Sequence, residues 1–144
     1  MKNYTGIILG EPNSINSEIV VKAWKTRKKI DNIFLIGNYS NFKKQIIKLG
    51  IKIPLIKVNK FEEIKNKKKL HIINIPFKFK SIFNANLSAI KTYIFNSFNL
   101  AHKLAIKKKI LGFINAPIDK KIFGNKYLGV TEYLSKKNKC KIKR

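Results

Sequence analysis

The sequence is poor in cysteine, in acidic residues and in long apolar runs. Cys140 is the single cysteine among 144 residues, which excludes an intrachain disulfide framework and a cysteine-ligated zinc site. No apolar run approaches the roughly 18 residues that cross a bilayer. The N-terminal apolar stretch, residues 6–10, is too short for a signal peptide. These absences predict a soluble, intracellular, single-domain protein with no membrane partner.

Only 7 acidic residues oppose 32 basic ones, which gives a formal charge of +25. Such a balance often indicates nucleic-acid binding. Here, however, all basic residues except Arg27 and Arg144 are lysines, and lysine, isoleucine and asparagine are the commonest residue types. An adenine- and thymine-rich coding sequence favours that composition, and lysine lacks the planar fork with which arginine recognises phosphate and guanine. The charge therefore predicts a solvated surface with weak, non-specific polyanion binding. A small basic module that binds RNA is the alternative.

Short apolar runs alternate with segments of helical periodicity along the chain. The runs predict strands at residues 5–9, 32–36, 53–58, 70–75 and 110–114. The periodic segments predict helices from residues 14–18 to near Lys29, over residues 41–49 and 87–107, and from near Thr131 onwards. Pro54 indicates an edge position for the third strand. Strands that alternate with helices predict an α/β fold, a mostly parallel sheet with helices on both faces.

Two loops stand where ligands bind in such a sheet, beyond the carboxyl ends of strands. Gly10-Glu11-Pro12-Asn13-Ser14 follows the first strand, and Asn115-Ala116-Pro117-Ile118-Asp119-Lys120 follows the fifth. Thr131 comes soon after, behind Gly129, at the predicted start of the last helix. Free N–H groups and a hydroxyl at a helix start suit an anion, to which Lys120 adds a point charge. A plain helix cap for Thr131 and a surface position for Lys120 are the alternatives.

Other catalytic signatures are missing from the sequence. It contains no G-x-G-x-x-G or Walker loop. His71 falls in a predicted strand and His102 on the long helix, and neither has an acidic residue or a second histidine at metal-ligand spacing. We expect structural or surface roles for both.

Taken together, three segments resemble motifs of the 4-hydroxythreonine-4-phosphate dehydrogenase family. Gly10-Glu11-Pro12, followed by Ile15 and Glu18, is similar to the opening G-[DE]-P-A-G-I-G-P-E. The segment from Ala116 to Lys120 resembles T-A-P-I-x-K, and Gly129-Val130-Thr131-Glu132 resembles G-H-T-E. The three occur in the family's order and at roughly its spacing.

The resemblance implies an NAD-dependent oxidoreductase that oxidises 4-phosphooxy-L-threonine, with decarboxylation following, in pyridoxal phosphate (vitamin B6) biosynthesis. The family is a cytoplasmic homodimer with a divalent metal ion, and its α/β fold is of the isocitrate/isopropylmalate dehydrogenase type. By correspondence, Thr131 is a substrate-binding residue, and Lys120 lies in the matching lysine-containing loop. Val130 occupies the position of the family's substrate-binding histidine and cannot make its hydrogen bond.

Two departures from the family accompany the resemblance. Asn13-Ser14 and Asn16-Ser17 stand where the opening motif has Ala-Gly and Gly-Pro. Family members are more than twice as long, and their metal-binding histidines and most of their cofactor site come from later segments. We therefore expect residues 1–144 to form a single incomplete α/β domain, the N-terminal part of such an enzyme, which is inactive alone. A degenerate partner with a scaffold role is a further alternative.

Overall fold

The computed structural model describes residues 3–27, 32–65 and 68–139. Two features discussed above, the predicted helix end at Lys29 and Cys140, lie outside these residues.

Five strands and four α-helices alternate along the chain. The strands are β1 (Thr5–Ile8), β2 (Ile33–Gly37), β3 (Leu55–Val58), β4 (Leu70–Asn74) and β5 (Gly112–Asn115). The helices are α1 (Asn16–Thr26), α2 (Tyr39–Lys48), α3 (Leu87–Ile106) and α4 (Val130–Lys137). Short 3₁₀ turns lie at Phe61–Glu63 and Lys120–Phe123.

The strands form one sheet in the order β3-β4-β2-β1-β5, and every pair in it is parallel. This confirms the predicted α/β class and the edge position of the strand that follows Pro54. All five carboxyl ends therefore meet along one edge of the sheet, where loops after β1, β4 and β5 lie.

Two apolar layers cover the sheet. On one face α3 packs through Ile94, Phe98 and Ala101, which are fully or almost fully buried, against residues of β1 and β2 such as Phe34. On the other face α1 and α2 bury Val21, Trp24 and Phe42 against Leu35 and Ile72. The prediction of helices on both faces is confirmed for β1, β2 and β4.

The start of α1 at Asn16 falls within the predicted range, residues 14–18. Its N-cap is Ile15, which makes no side-chain cap bond. The hydroxyl of Ser14 instead donates to the carbonyl of Glu11 at 2.6 Å and accepts from the N–H of Asn16 at 3.2 Å. Ser14 thus shapes the loop before the helix, because its hydroxyl bonds back toward β1.

The buried face of α1 is turned relative to the helical spacing of its apolar residues. That spacing puts Ile19, Val20, Ala23 and Trp24 on one face, of which Val20 and Trp24 are buried. Ile19 is 43% exposed, Ala23 is exposed, and Val21 is fully buried instead. The helix is turned toward α2, with which it shares a contact, so its Ile19 side faces away from the core.

No helix within the described residues is long and apolar enough to cross a membrane.

Candidate functional site

The loops after β1 and β5 lie against each other at the carboxyl edge of the sheet. The backbone N–H of Asp119 donates to the Glu11 carboxylate at 3.2 Å. The side-chain amide of Asn16 donates to the carbonyl of Pro117 at 2.8 Å and to that of Leu9 at 3.1 Å. Two segments that the sequence analysis singled out, 10–14 and 115–120, are thus brought together.

Gly10 permits this close approach. Its φ of +70° lies in the left-handed region, and a Cβ there would stand 3.0 Å from the carbonyl oxygens of both Ala116 and Pro117. Any other residue would be strained in conformation and would push the β5 loop away. The glycine that ends the first strand therefore fixes the separation of the two loops.

Residues 10–14 after β1, which we call the opening loop, are also bonded to the segment that follows β4. The side chain of Asn13 accepts from the N–H of Ala85 at 2.8 Å and donates to its carbonyl at 3.0 Å. Gln45, which is 1% exposed, donates to the carbonyl of Pro12 at 2.8 Å and to that of Ile82, and accepts from the hydroxyl of Ser17. Side chains at three positions that depart from the family motif, Asn13, Asn16 and Ser17, thus hold the loops together.

The first turn of α4 lies toward the same carboxyl edge of the sheet. Tyr133 of α4 donates to Asn99 of α3 at 3.1 Å, and five residues later Asn138 lies 2.6 Å from His102. Both helices therefore run in the same direction. Since α3 starts at the carboxyl edge, just after Ala85, the first turn of α4 points toward that edge as well.

The predicted substrate residues occupy three different environments. Lys120 is exposed and opens the 3₁₀ turn next to Asp119. Thr131 is the second residue of α4 and is exposed, while Val130 is half-buried and packs against the core beneath α3. Within the part of the chain that the structure describes, no side-chain hydrogen bond joins Lys120 or Thr131 to the Glu11 loop.

The alternative role of Thr131 as a helix cap is wrong. The N-cap of α4 is Gly129, and no side chain caps this helix. The first-turn N–H groups are therefore available to a ligand, as the anion-binding hypothesis requires. Glu132 is the acidic residue in that turn and would oppose an anion there.

The two histidines have structural surroundings. His71 is 3% exposed in β4, with Nδ1 3.1 Å from the carbonyl of Lys69, and burial lowers its pKa. His102 bonds to Asn138 between α3 and α4. Burial also raises the pKa of Tyr93, whose hydroxyl accepts from the backbone N–H of Asn38 at 3.2 Å. None of these three side chains lies at the converging loops.

A divalent metal ion does not fit the residues described here. Among residues 3–27, 32–65 and 68–139, no three side chains of histidine, cysteine, aspartate or glutamate lie close enough to hold one. The loop after β1 also lacks the glycine-rich sequence that cradles a dinucleotide. No catalytic step through a metal ion or NAD can be derived from these residues.

Sequence reasoning missed an open cleft of ≈ 720 Å³ beside the opening loop. It lies between the segment after β4 and the start of α3, and its lining includes Lys78, Lys80, Asn86, Ser88 and Thr92. The sequence up to Asn84 indicates only a linker to the long helix. The available signal was Asn86, whose side chain caps α3 by accepting from the N–H groups of Ser88 and Ala89.

No protein-family model matches the sequence, and no curated protein sequence matches it significantly. Solved structures do match its fold. A Salmonella typhimurium structure assigned to 4-hydroxythreonine-4-phosphate dehydrogenase superposes with a TM-score of 0.81 at 22% identity, covering 94% of this chain. The 4-hydroxythreonine-4-phosphate dehydrogenase from Burkholderia phymatum gives 0.82 at 18% identity and 97% coverage, and that from Klebsiella pneumoniae 0.76 at 19% and 94%.

This chain spans 44% of the length of each of these three structures. The structural similarity confirms the predicted α/β fold, and the three matched structures carry the name of the family whose motifs the sequence resembles. It shows the fold alone, since sequence identity is 22% or lower in all three cases.

Proposed function

We propose that this chain supplies the substrate-binding edge of an NAD-dependent oxidoreductase that acts on 4-phosphooxy-L-threonine. The reaction is oxidation of the substrate hydroxyl with decarboxylation following, in pyridoxal phosphate biosynthesis. The observation that carries the proposal is the meeting of the Glu11 loop with the Asp119 loop. Two motif segments, 108 residues apart at this contact, form one edge of a fold that matches dehydrogenases of that name.

In this account the chain binds and orients a phosphorylated amino acid and does not by itself carry out the chemistry. The uncapped first turn of α4 offers N–H donors and the positive end of the helix dipole to an anionic group. Thr131 adds a hydroxyl donor and Lys120 an ammonium group. Val130 offers no polar group, so any contact that a histidine makes at its position is lost or replaced here.

The opening loop supplies the fixed wall against which the substrate would rest. Its Glu11 carboxylate is held by the N–H of Asp119, and its Pro12 carbonyl is held by the side chain of Gln45. The side chain of Asn13 ties the same loop to the backbone of Ala85. A pre-ordered wall reduces the entropy that binding must remove. The departures from the family motif therefore support the loop, because Asn13 and Asn16, which stand where the motif has alanine and glycine, add side-chain hydrogen bonds.

Completion of the reaction requires groups from outside these 144 residues in our proposal. The chemistry that a divalent ion would supply is polarisation of the substrate oxygen, and the chemistry that NAD would supply is acceptance of a hydride. The metal ligands would come from another polypeptide segment. The resemblance also assigns a cytoplasmic location and a homodimeric assembly, and both stay predictions for this chain.

The direct test is an assay of the purified 144-residue protein with 4-phosphooxy-L-threonine, NAD and a divalent metal ion. We expect no turnover from the protein alone, together with saturable substrate binding by calorimetry. Robust turnover would contradict the claim that the site is incomplete. Absence of binding would contradict the claim that the chain carries part of the substrate site.

Polyanion binding is a second candidate function, favoured by the lysines at the large cleft. Lys78 and Lys80 line it, and residues 64–118 contain no acidic residue at all. A polyanion held by these charges would dissociate steeply as salt is raised, because binding releases counterions. Retention on an RNA column with a steep salt dependence, combined with no binding of 4-phosphooxy-L-threonine, would favour this second function.

A further inference from the structure

The segment between β4 and α3 follows a path that other side chains of this chain fix at two points. Asn41 of α2 donates to the carbonyl of Ile82 at 3.2 Å. Asn13 bonds to both backbone groups of Ala85, at 2.8 Å to its N–H and at 3.0 Å to its carbonyl. Residues 76–84 therefore form an ordered loop beside the start of α3, although they belong to none of the helices and strands.

Phenylalanine and lysine alternate in this loop, as Phe77-Lys78-Phe79-Lys80. Both rings are half-buried, and they stack on each other with centroids 5.7 Å apart and 23° between their planes. Both lysines are exposed. The loop therefore places its ammonium groups in solvent next to a stacked aromatic pair.

The open cleft of ≈ 720 Å³ lies between this loop and the first turns of α3, and we call it the Phe79 cleft. Phe79, Lys78 and Lys80 line it on the loop side, and Ser88 and Thr92 line it on the helix side. The cleft therefore offers an aromatic ring, two ammonium groups and two hydroxyl groups to one ligand.

Lysines of α2 border the aromatic rings of the same loop. The Nζ atom of Lys44 lies 5.4 Å from the ring centroid of Phe79, and that of Lys48 lies 5.8 Å from the ring centroid of Phe83. Both lysines are exposed, and the long lysine side chain is flexible enough to exchange a ring for a phosphate oxygen. A ligand can therefore reach Phe79 without any change in the backbone.

No carboxylate of the surrounding segments opposes these charges. Residues 32–61 and 64–118, which supply α2, the loop and α3, contain no acidic residue. Glu18 of α1 lines a neighbouring pocket, but its carboxylate is paired with Lys22 at 2.6 Å. The potential around the Phe79 cleft is therefore positive.

The first turn of α3 is not the source of this anion affinity. Asn86 caps the helix, and its side chain accepts from the N–H groups of Ser88 and Ala89. The helix start therefore contributes hydroxyl groups to the cleft, whereas the charge comes from the lysines.

An aromatic ring beside ammonium groups favours a polyanion whose bases are exposed. Single-stranded nucleic acid is bound in this way, with lysines along the backbone and bases stacked on aromatic side chains. A duplex hides the faces of its bases, and recognition of base edges in its grooves favours the arginine fork, which no residue lining the cleft supplies. The ring of Phe79 thus separates two partners that charge alone would not.

We propose that the Phe79 cleft binds single-stranded nucleic acid, with one base stacked on Phe79 and the neighbouring phosphates on Lys78 and Lys80. Lys44 then leaves the ring and joins the phosphate contacts. The proposal rests on the second candidate function above, polyanion binding, and adds to it a requirement for exposed bases. It involves none of the residues assigned to the dehydrogenase site.

The test measures binding of fluorescein-labelled oligoadenylates to the 144-residue protein by fluorescence anisotropy. The strands have about 12 nucleotides, within the site sizes of single-strand-binding folds, and an abasic strand with the same number of phosphates is the control. We expect the oligoadenylates to bind roughly fivefold more tightly than the abasic strand, or better, because a stacked base contributes that much. The ratio between the ribo- and the deoxyribo-oligomer assigns the partner to RNA or to DNA.

Two phenylalanine variants locate the stacking contact. Phe79→Leu keeps an apolar side chain in the cleft but removes the ring, and it should weaken oligoadenylate binding roughly fivefold without changing the affinity for the abasic strand. Phe95→Leu makes the same change at a half-buried ring of α3 that packs against Phe123, and it should leave both affinities unchanged. Circular dichroism checks that both variants keep the fold of the parent chain.

Two double lysine variants of equal net charge locate the phosphate contacts. Lys78→Gln with Lys80→Gln removes two ammonium groups of the cleft, and it should reduce the slope of log affinity against log salt by about 1.4, at ~0.7 for each phosphate contact on a single strand. Lys103→Gln with Lys107→Gln, at exposed positions at the other end of α3, should leave the slope unchanged.

Three results would overturn the proposal: equal affinity for the base-bearing and the abasic strands, equal effects of the two phenylalanine variants, or equal effects of the two lysine variants. The first would leave general polyanion binding standing, whereas no binding of any strand would overturn both. Binding of 4-phosphooxy-L-threonine is a separate measurement, so failure of the dehydrogenase assignment is distinguishable from failure of the Phe79 cleft.

Discussion

The side-chain amide of Asn16 donates to the backbone carbonyl of Pro117 at 2.8 Å, joining residues 101 positions apart. Asn16 opens α1, and Pro117 lies in the loop after β5. The same amide also holds the carbonyl of Leu9, at the end of the first strand. One buried side chain therefore sets the position of two loops of the candidate site, at a position where the resembled motif has glycine.

Replacing Asn16 with alanine should lower the free energy of unfolding by about 1–2 kcal/mol. The change leaves the buried carbonyl of Leu9 and the partly buried carbonyl of Pro117 without this donor, while it also removes the side-chain oxygen Oδ1, which is buried without a partner among the described residues. Chemical denaturation measures the effect. Asn96→Ala, at an exposed position of α3, is the control and should stay within about 0.5 kcal/mol of the parent chain. Equal effects of both variants would show that the bond is not stabilising.

Gly37→Ala should be strongly destabilising, whereas Gly112→Ala should be tolerated. A Cβ at Gly37 would stand 2.7 Å from the Tyr93 hydroxyl and 2.5 Å from a methyl carbon of Leu9, both in the packed core. We expect a loss of about 1–3 kcal/mol, as for overpacked cores. A Cβ at Gly112 meets nothing within 4 Å. Thermal unfolding measures the stability of both variants. A Gly37→Ala protein as stable as Gly112→Ala would contradict the described packing.

Burial of His71 should make the protein less stable in mild acid. Because burial lowers its pKa, the unfolded chain takes up the proton at a higher pH than the folded chain. The free energy of unfolding therefore falls as pH drops through the ordinary histidine pKa toward the lowered one, and His71 has no such effect above that range. In His71→Asn, melting temperatures should depend less on pH across this window. His102→Asn keeps His71 and should retain the parent's pH dependence of the melting temperature. A weaker pH dependence in His102→Asn than in His71→Asn would contradict the role given to His71.

Glu132→Gln should tighten binding of inorganic phosphate. The carboxylate lies in the first turn of α4, where it competes with an incoming anion for the positive end of the helix. Removing its charge should improve the affinity by roughly two- to fivefold, the magnitude typical of one charge at a helix terminus. Calorimetric titration measures this, with Glu63→Gln as a control that changes net charge equally on a distant turn. The same gain in both variants would mean that phosphate responds only to net charge.

Much of the fold follows from local patterns in the sequence. The apolar runs of β2 and β4 are bounded by polar residues or glycine, and the periodic apolar positions of α3 turn inward from Ile90 to Leu104, whereas Leu87 in its first turn is 51% exposed. The ends of elements were less predictable because capping decides them. Asn38, for example, starts α2 two residues earlier than expected by accepting from the N–H of Asn41.

The contacts that build the site could not be predicted from the sequence, because they join distant positions. Nothing local indicates that Asn13 would pair with Ala85 or Asn16 with Pro117. The exposure of Ile114 on one face of β5 could not be predicted from the sequence either. Gly112-Phe113-Ile114-Asn115 is an ordinary buried-strand pattern, and only the placement of α1 and α3 shows that Phe113 is covered while Ile114 is not.

The central claim is that the loops after β1 and β5 and the start of α4 together hold a phosphorylated amino acid. It is tested most directly by following backbone amide NMR signals while 4-phosphooxy-L-threonine is added. Our account predicts saturable shifts concentrated at Glu11, Lys120 and Thr131, retained when salt is raised moderately. Shifts spread over lysine-rich surfaces throughout the chain and abolished by salt, or none at all, would contradict it.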